Sequence, residues 1–200
     1  MNKQKIDPEK LKQEFISLMQ STNRPGIDKM LDYLETKTDF YTAPASSKFH
    51  NNVEGGLLDH SLNVYHNFKG LLQLKDIPME EDSIIICSLL HDLCKCNYYT
   101  KELRNKKVDN KWVQYEMWTN VKQVKLPFPH SYRSIKLIKP NIQLKLLEEL
   151  CIFYHMGPYG GEDYEYRNML KQANEQYPQT LLFYIADLMS SYLDEDIDMQ

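Results

Sequence analysis

The 200-residue sequence lacks several features that mark common classes of protein. Its four cysteines form no Cys-x-x-Cys pair, which argues against a zinc ribbon and favours reduced core thiols. It has neither a Gly-x-x-x-x-Gly-Lys-Ser phosphate loop nor a Gly-x-Ser-x-Gly nucleophile motif. No apolar run is long enough to cross a membrane, and the first residues form no apolar signal core. We therefore expect a cytoplasmic protein without membrane contact.

The sequence also lacks an excess of positive charge. It has 24 Lys and Arg against 28 Asp and Glu, a formal net charge of −4. Proteins that coat nucleic acids are usually basic, so general nucleic-acid binding is not expected. A small anionic substrate in a local pocket agrees with this charge. The length suits one domain with one buried core, and it leaves the oligomeric state open.

The most informative stretch is residues 83–95, Ser-Ile-Ile-Ile-Cys-Ser-Leu-Leu-His-Asp-Leu-Cys-Lys. It is apolar on nearly every side, which predicts a buried helix. It nevertheless carries His91 and Asp92 near its C-terminal end. Buried carboxylates are normally paired or bound to metal, so the two residues are a candidate metal site. On its own, a His-Asp pair is more often salt-bridged or exposed.

Apolar spacing predicts helices over most of the chain, at residues 8–20, 27–34, 57–74, 83–95, 131–138 and 142–154, with a last helix from residue 178. Asp7 is a candidate N-cap for the first of them. Alternating aromatic and β-branched residues at 112–118 predict a β-hairpin that turns near Asp109 and Asn110. The hairpin and the helices together predict a mostly helical fold.

Three connecting segments are predicted without regular structure. The Pro-containing residues 126–130 are expected to be a stiff lead-in to the helix at residue 131. Two glycines and several acidic residues after residue 159 predict a mobile surface loop. Residues 194–198 are expected to be an acidic, frayed tail.

Other histidines and carboxylates lie at or near the ends of apolar helices. Singly, each is more often a hydrogen-bonded structural residue. Together, four imidazoles and two carboxylates are the ligand chemistry of one or two borderline divalent ions. These candidate metal ligands are His60, His91, Asp92, His130, His155 and Asp187. His66 points away from the face of His60 and is interpreted as a surface or capping histidine.

The order His, His-Asp, Asp in a helical chain resembles the HD-domain metal-dependent phosphohydrolases. Residues 55–60, Gly-Gly-Leu-Leu-Asp-His, are similar to the family's first-histidine helix. Residues 89–95, Leu-Leu-His-Asp-Leu-Cys-Lys, are similar to its signature helix, and residues 184–188, Tyr-Ile-Ala-Asp-Leu, to its last-aspartate helix. His130 and His155 resemble the extra histidines of subfamilies that hold two metals. The resemblance covers about residues 48–195 and is strongest to small stand-alone HD proteins of bacteria and phages.

The resemblance implies an all-α HD-domain helical bundle with a small β-hairpin insertion near residues 98–122. The chain would then be a single HD domain over residues 1–200, with a helical extension at 1–41 and an HD core at 48–195. It also implies the metal ligands. His60, His91, Asp92 and Asp187 would bind one ion, and Asp92 would bridge to a second ion held by His130 and His155. The implied cofactor is one or two divalent ions, and the sequence does not distinguish among Mn, Fe, Co, Mg, Ni and Zn.

The implied reaction is hydrolysis of a phosphomonoester or phosphodiester in a nucleotide or oligonucleotide by a metal-activated hydroxide. Asp92, Lys95 and His50 are the expected catalytic residues. Lys95 would lie beside the substrate phosphate, and His50 would protonate the leaving oxygen, although it is equally readable as an ordinary loop histidine. The expected substrate-binding residues are Lys48, Arg104 and Arg133.

Two alternatives stay open. The same ligand set suits a di-iron oxygenase with the HD fold, which iron content and oxygen uptake would reveal. The second alternative is an HD protein that binds a nucleotide without hydrolysing it. Turnover in the presence of metal would exclude this alternative. Tyr98, Tyr99 and Tyr159 could stack on a base, but in a chain with 14 tyrosines packing is the commoner role.

Overall fold

The computed structural model describes residues 7–121 and 128–195. Within them the chain is mostly helical and has one antiparallel hairpin, which confirms the predicted helical fold with a small β insertion. The helices are α1 (Pro8–Ser21), α2 (Ile27–Lys37), α3 (Gly56–Lys75), α4 (Glu81–Leu90), α5 (His130–Ile138), α6 (Leu146–Tyr154), α7 (Tyr164–Gln176) and α8 (Pro178–Met189). None of these helices is both long enough and apolar enough to span a membrane.

The core lies around α3, which packs against α1, α4 and α8, while α6 packs against α4, α5 and α8. The buried side chains are large and apolar, and Phe68 of α3 meets Phe183 of α8 edge to face with ring centroids 4.9 Å apart. Burial of such side chains contributes about 1.5–3 kcal/mol each to stability. This packing fixes the relative positions of the helix ends that carry the candidate ligands.

The helix predicted at residues 83–95 is shorter than expected. α4 ends at Leu90, and a 3-10 turn (Leu93–Lys95) follows after Asp92, whose φ and ψ are −103° and 19°. The helix breaks because the amide of Cys94 donates to Ser134 Oγ of α5 at 3.0 Å, and not to the carbonyl four residues earlier. His91 and Asp92 therefore lie at a bend and not on a regular helix.

The helix predicted at residues 142–154 begins four residues later. α6 starts at Leu146 because Glu148 reaches back to accept the amide proton of Lys145 at 2.8 Å, which caps the helix there. Ile142 and Leu144 are buried in the non-helical segment before it. Apolar residues before the cap therefore belong to the core without belonging to the helix.

The surface loop predicted after residue 159 is wrong for most of its length. A 3-10 turn (Gly157–Gly160) leads into α7, where Asp163 caps the helix by accepting the amide proton of Tyr166 at 2.7 Å. The buried residues of α7 follow helical spacing and form a small cluster with Tyr154 of α6: Tyr166, Leu170 and Ala173. Their separation by charged residues weakened the apolar pattern.

The hairpin consists of β1 (Tyr99–Val108) and β2 (Lys111–Asn120), paired in register from Tyr99 with Asn120 to Val108 with Lys111. Asp109 and Asn110 have φ of 47° and 64°, which confirms the predicted turn. Residue 122 of the predicted insertion, residues 126–127 of the lead-in and residues 196–198 of the tail lie outside the described residues.

Candidate metal centre

Four helix ends and one bend bring the six predicted ligands together. His60 lies near the start of α3, His130 begins α5, and Asp187 lies near the end of α8. The bend after α4 supplies two ligands, and the residue after α6 supplies another. The cluster consists of His60, His91, Asp92, His130, His155 and Asp187.

Two glycines let the loop before α3 approach His60. Gly55 has a φ of 79°, and a Cβ atom on Gly56 would lie 2.1 Å from the carbonyl oxygen of Asn51, so a larger residue would push the loop away. This close approach brings His50 beside His60, with ring centroids 4.9 Å apart. The glycines therefore position the predicted acid next to the cluster.

One oxygen of Asp92 faces an inner group of ligands. Oδ2 lies 3.5 Å from His60 Nε2 and 3.4 Å from His91 Nε2. The two Nε2 atoms are 3.2 Å apart, and His60 Nε2 is 3.2 Å from Asp187 Oδ1. The same Oδ2 accepts a salt bridge from Lys95 Nζ at 2.6 Å.

The other oxygen of Asp92 faces an outer group. Oδ1 lies 2.6 Å from His130 Nε2 and 3.5 Å from His155 Nε2. The carboxylate thus stands between two pairs of imidazoles, one on each oxygen. This is the arrangement needed for one carboxylate to serve two neighbouring cations.

The ring orientations are fixed by acceptors behind the histidines. His91 Nδ1 lies 2.8 Å from the carbonyl oxygen of Ser88, and His155 Nδ1 lies 2.7 Å from that of Ile152. A carbonyl only accepts, so each Nδ1 carries a proton and each Nε2 is left facing the cluster as the candidate ligand atom. Ligating histidines are usually oriented by such contacts.

The residues fit a divalent ion. His155 Nε2 is buried with no hydrogen-bond partner, which is costly unless a cation accepts its lone pair. Metal–ligand bonds of about 2.0–2.2 Å place ligand atoms roughly 3.0–3.5 Å apart. The separations of the inner ligand atoms, 3.2 to 3.5 Å, lie in that range. Imidazole and carboxylate donors suit several first-row divalent ions.

The electrostatics of the cluster favour added positive charge. Burial lowers the pKa of His60, but the charge of Glu195 and the hydrogen bonds of Asp187 and Asp92 outweigh it and raise that pKa well above its usual value. Burial opposes ionisation of Asp92, yet Lys95 and the neighbouring histidines hold its pKa well below the usual range. A metal that binds His60 must therefore displace a proton.

Glu195 is a site residue that the sequence did not reveal. It was expected in a frayed tail, but it is 4% exposed, with Oε1 2.7 Å from His60 Nδ1 and Oε2 2.5 Å from His50 Nδ1. Burial would raise its pKa, but the charge of His60 and the hydrogen bond to His50 hold the pKa at about 2. A π-helical turn (Ser190–Asp194) precedes it and shifts the helical spacing, so no periodic signal pointed to this carboxylate.

Cys94 lies beside the outer group, with Sγ 3.4 Å from His130 Nδ1. Burial and the nearby charge of Asp92 raise the pKa of its thiol to about 12, so the sulfur is protonated at neutral pH. All four cysteines are free thiols and three are buried, in agreement with the predicted core thiols.

A pocket of about 340 Å³ opens above the cluster. His50 and Lys95 both line it, so the structure places these two predicted catalytic residues in the same pocket as candidate ligands. The ionisable lining is His50, Asp92, Lys95, His130, His155 and Asp187, and the remaining wall is Phe49, Met156, Tyr159, Leu188, Ser191 and Tyr192.

The three predicted substrate-binding cations are not among the residues that line this pocket. Lys48 is exposed in the loop before His50. Arg104 is on β1 and pairs with Glu102 at 2.8 Å, and the guanidinium of Arg133 lies 5.0 Å from the centre of the Tyr98 ring.

Of the three tyrosines considered for stacking, only Tyr159 lines the pocket. Tyr98 and Tyr99 pack edge to face with centroids 5.2 Å apart. His66 is exposed beside Glu14, as predicted for a surface histidine.

The fold and the site together define a mostly helical protein with a buried His/Asp cluster able to hold a metal ion. One curated relative, a dihydroneopterin 2′,3′-cyclic phosphate phosphodiesterase from Methanocaldococcus jannaschii, is 32% identical over 109 residues. The aligned part is 50% of this chain and 40% of the relative, so the chain matches less than half of the relative's length. No family model matches the chain, and no solved structure matches it.

Proposed function

We propose that the protein is a metal-dependent phosphohydrolase of the HD-domain superfamily that cleaves a phosphodiester or phosphomonoester of a nucleotide or oligonucleotide. The observation that carries the proposal is the position of Asp92. Its two oxygens face two pairs of imidazole Nε2 atoms at 2.6 to 3.5 Å. Sites that act on phosphate esters use a carboxylate in this way to hold two cations side by side.

Two groups of residues would hold the ions. His60, His91, Asp92 and Asp187 surround the inner position, and Asp92 with His130 and His155 surrounds the outer one. Bound divalent ions would supply Lewis-acid charge to the phosphoryl oxygens and lower the pKa of the attacking water. The relative's name describes a cyclic phosphodiester as its substrate, which supports a phosphodiester as the first choice here.

Lys95 would bind a phosphoryl oxygen. Burial lowers its pKa, but the charge of Asp92 outweighs that effect and raises the pKa above the usual value, so the side chain stays cationic. Its Nζ lies 2.6 Å from Asp92 and lines the pocket. A fixed positive charge there would stabilise the charge that develops on the phosphoryl group during attack.

His50 would donate the proton to the leaving oxygen. It lines the pocket, and Glu195 holds its Nδ1 so that Nε2 is the atom left for the substrate. As the water oxygen attacks phosphorus, the P–O ester bond breaks and the departing oxygen takes the proton from Nε2. Burial lowers the pKa of His50, and the hydrogen bond to Glu195 opposes this effect by stabilising the imidazolium that would donate the proton.

The test combines elemental analysis of protein purified without chelator with a panel of nucleotide mono- and diesters under added Mn²⁺, Mg²⁺, Fe²⁺ or Co²⁺. We expect about two metals per chain and release of a phosphate product. Two irons with oxygen uptake and no hydrolysis would instead identify an oxygenase. Metal-free protein that binds nucleotides without turnover would reject the proposal.

A further inference from the structure

The pocket above the cluster has an unusual rim. Three large aromatic side chains line it and still face solvent: Phe49 is 69% exposed, Tyr159 79% and Tyr192 69%. Single exposed aromatics are ordinary, but a group of them around one polar cavity marks a surface that binds something. The described residues include no contact between any two of these three rings.

The backbone under each ring is held in place. The amide of Phe49 donates to Ser46 Oγ at 2.8 Å. Tyr159 lies in the 3-10 turn Gly157–Gly160, where the hydroxyl of Tyr166 donates to the Gly157 carbonyl at 2.9 Å. The rings are therefore presented by anchored backbone segments, so the ordering that a ligand requires would be confined to the side chains.

The third ring is placed by the π-helical turn. Tyr192 lies in the middle of Ser190–Asp194, and Asn67 of α3 donates to Asp194 Oδ2 at 2.6 Å and to Ser190 Oγ at 3.0 Å. Single π-helical turns are rare and occur frequently at functional sites. Here the turn lets the chain present Tyr192 to the pocket and Glu195 to the cluster.

The floor and the rim of the pocket differ in chemical character. Its floor carries Lys95 and the ligand cluster, which suit a phosphate, while the rim is aromatic and apolar apart from the hydroxyls of Ser191, Tyr159 and Tyr192. An aromatic face stacks on any flat ring, whereas selection among bases needs several hydrogen-bonding groups at the ring edge. A cavity of about 340 Å³ is of the size that holds small ligands.

We propose that Phe49, Tyr159 and Tyr192 form an aromatic subsite that stacks on the planar heteroaromatic ring of a phosphoester whose phosphate lies on the cluster. The substrate class is then a mononucleotide-sized ester with a flat ring, accepted without strong preference among rings. The inference rests on the proposed function for the place of the phosphate, and it adds the residues that recognise the rest of the substrate.

The first experiment measures binding and needs no turnover. Calorimetry compares adenosine 5′-monophosphate with glycerol 2-phosphate on the metal-loaded full chain. The wild type is expected to bind the nucleotide more tightly, and Tyr159→Ala or Tyr192→Ala to weaken nucleotide binding by about tenfold. Glycerol phosphate affinity should change by less than about threefold, because that ligand has no ring to stack.

Two further variants separate stacking from folding. Tyr192→Phe keeps the ring and should retain the nucleotide affinity. Tyr164→Ala removes a tyrosine that is 80% exposed in α7 but does not line the pocket, so it should leave both affinities as in the wild type. An equal loss in Tyr164→Ala, or equal weakening of both ligands in Tyr192→Ala, would overturn the subsite.

A second experiment uses turnover. The ratio of kcat/KM for adenosine 2′,3′-cyclic phosphate to that for glycerol 1,2-cyclic phosphate is expected to fall about tenfold in Tyr159→Ala and Tyr192→Ala. Equal kcat/KM for both esters in the wild type would reject the subsite and leave the phosphohydrolase intact. Ring-dependent binding without hydrolysis of either ester would reject the proposed function and keep the subsite. Failure to bind either ligand would overturn the subsite.

Discussion

The two oxygens of Asp92 face imidazoles that the chain supports in different ways. On the inner side, His60 and His91 are buried, and both Nδ1 atoms lie within 2.8 Å of an oxygen, of Glu195 and of Ser88. On the outer side, His155 is buried with its Nδ1 2.7 Å from the Ile152 carbonyl oxygen, but the His130 side chain is 28% exposed and its Nδ1 lies 3.4 Å from the Cys94 sulfur. The inner position is therefore the more rigid of the two.

The difference has a physical cause in the elements that supply the ligands. The inner ligands come from α3, the end of α4 and α8, and α3 packs against both of the other helices in the core. His130 begins α5, and Pro129 at its N-cap makes no side-chain hydrogen bond. Ligands that are oriented before binding lose less entropy on binding, so the inner position should hold its ion more tightly.

Asp92→Asn removes the charge that both sides share and should have the largest effect. We expect loss of both ions and a fall in hydrolysis on the order of 10³-fold, because an amide cannot offset two cations and Lys95 loses its buried partner. Elemental analysis and steady-state assays measure this, with circular dichroism to follow the helices.

Asp82→Asn is the matched control for that variant. Asp82 lies at the other end of α4 and pairs with Arg24 at 2.9 Å, away from the cluster. It should keep its metals and its activity. Full activity in Asp92→Asn would remove the carboxylate from the site.

Alanine variants of one histidine on each side test directly whether the inner and outer positions differ in metal affinity. His60→Ala should weaken inner metal binding more than about 100-fold, whereas His130→Ala should leave about one ion per chain with its affinity changed by less than about threefold. The difference follows from the anchoring of the inner rings. Calorimetric metal titration of each variant reports both stoichiometry and affinity, and identical losses in the two would show that the sides are equivalent.

Glu195→Gln tests the support behind the inner side. The amide keeps the size of the side chain but no longer places a charge 2.7 Å from His60 Nδ1. Loss of such a partner typically costs about 10–100-fold in metal affinity. Glu162→Gln, at an exposed position outside the cluster and the pocket, is the control for the same substitution. An unchanged affinity in Glu195→Gln would mean that the contact only holds the tail in place.

The sequence predicted the helical fold and the turn at Asp109 and Asn110, because apolar periodicity and turn residues are local signals. It also named six side chains that the fold brings into one cluster. Their chemistry made them conspicuous, since a lone charge in an apolar helix needs a partner.

Glu195 and α7 were missed because their signals depend on the folded chain. Glu195 is one acid among several, and only the π-helical turn before it directs this one to His60. α7 buries Tyr166, Leu170 and Ala173 between charged residues, so its apolar face is narrow. Likewise, Lys48, Arg104 and Arg133 carry suitable charge, but no sequence rule says which basic residue faces a pocket.

Cys94→Ala tests whether the thiol beside His130 is a ligand of the outer ion. Of the variants considered, it should have the smallest effect on metal affinity. A thiol with a pKa of about 12 is neutral at pH 7 and is a poor ligand, so metal affinity should change by less than about threefold. Cobalt substitution adds a spectroscopic measurement, because thiolate ligation gives a strong near-ultraviolet charge-transfer band that imidazole and carboxylate ligands lack. The wild type should show no such band. If the band is present and disappears in Cys94→Ala, the outer ion deprotonates this thiol, and the two sides would then differ in the kind of ligand as well as in rigidity.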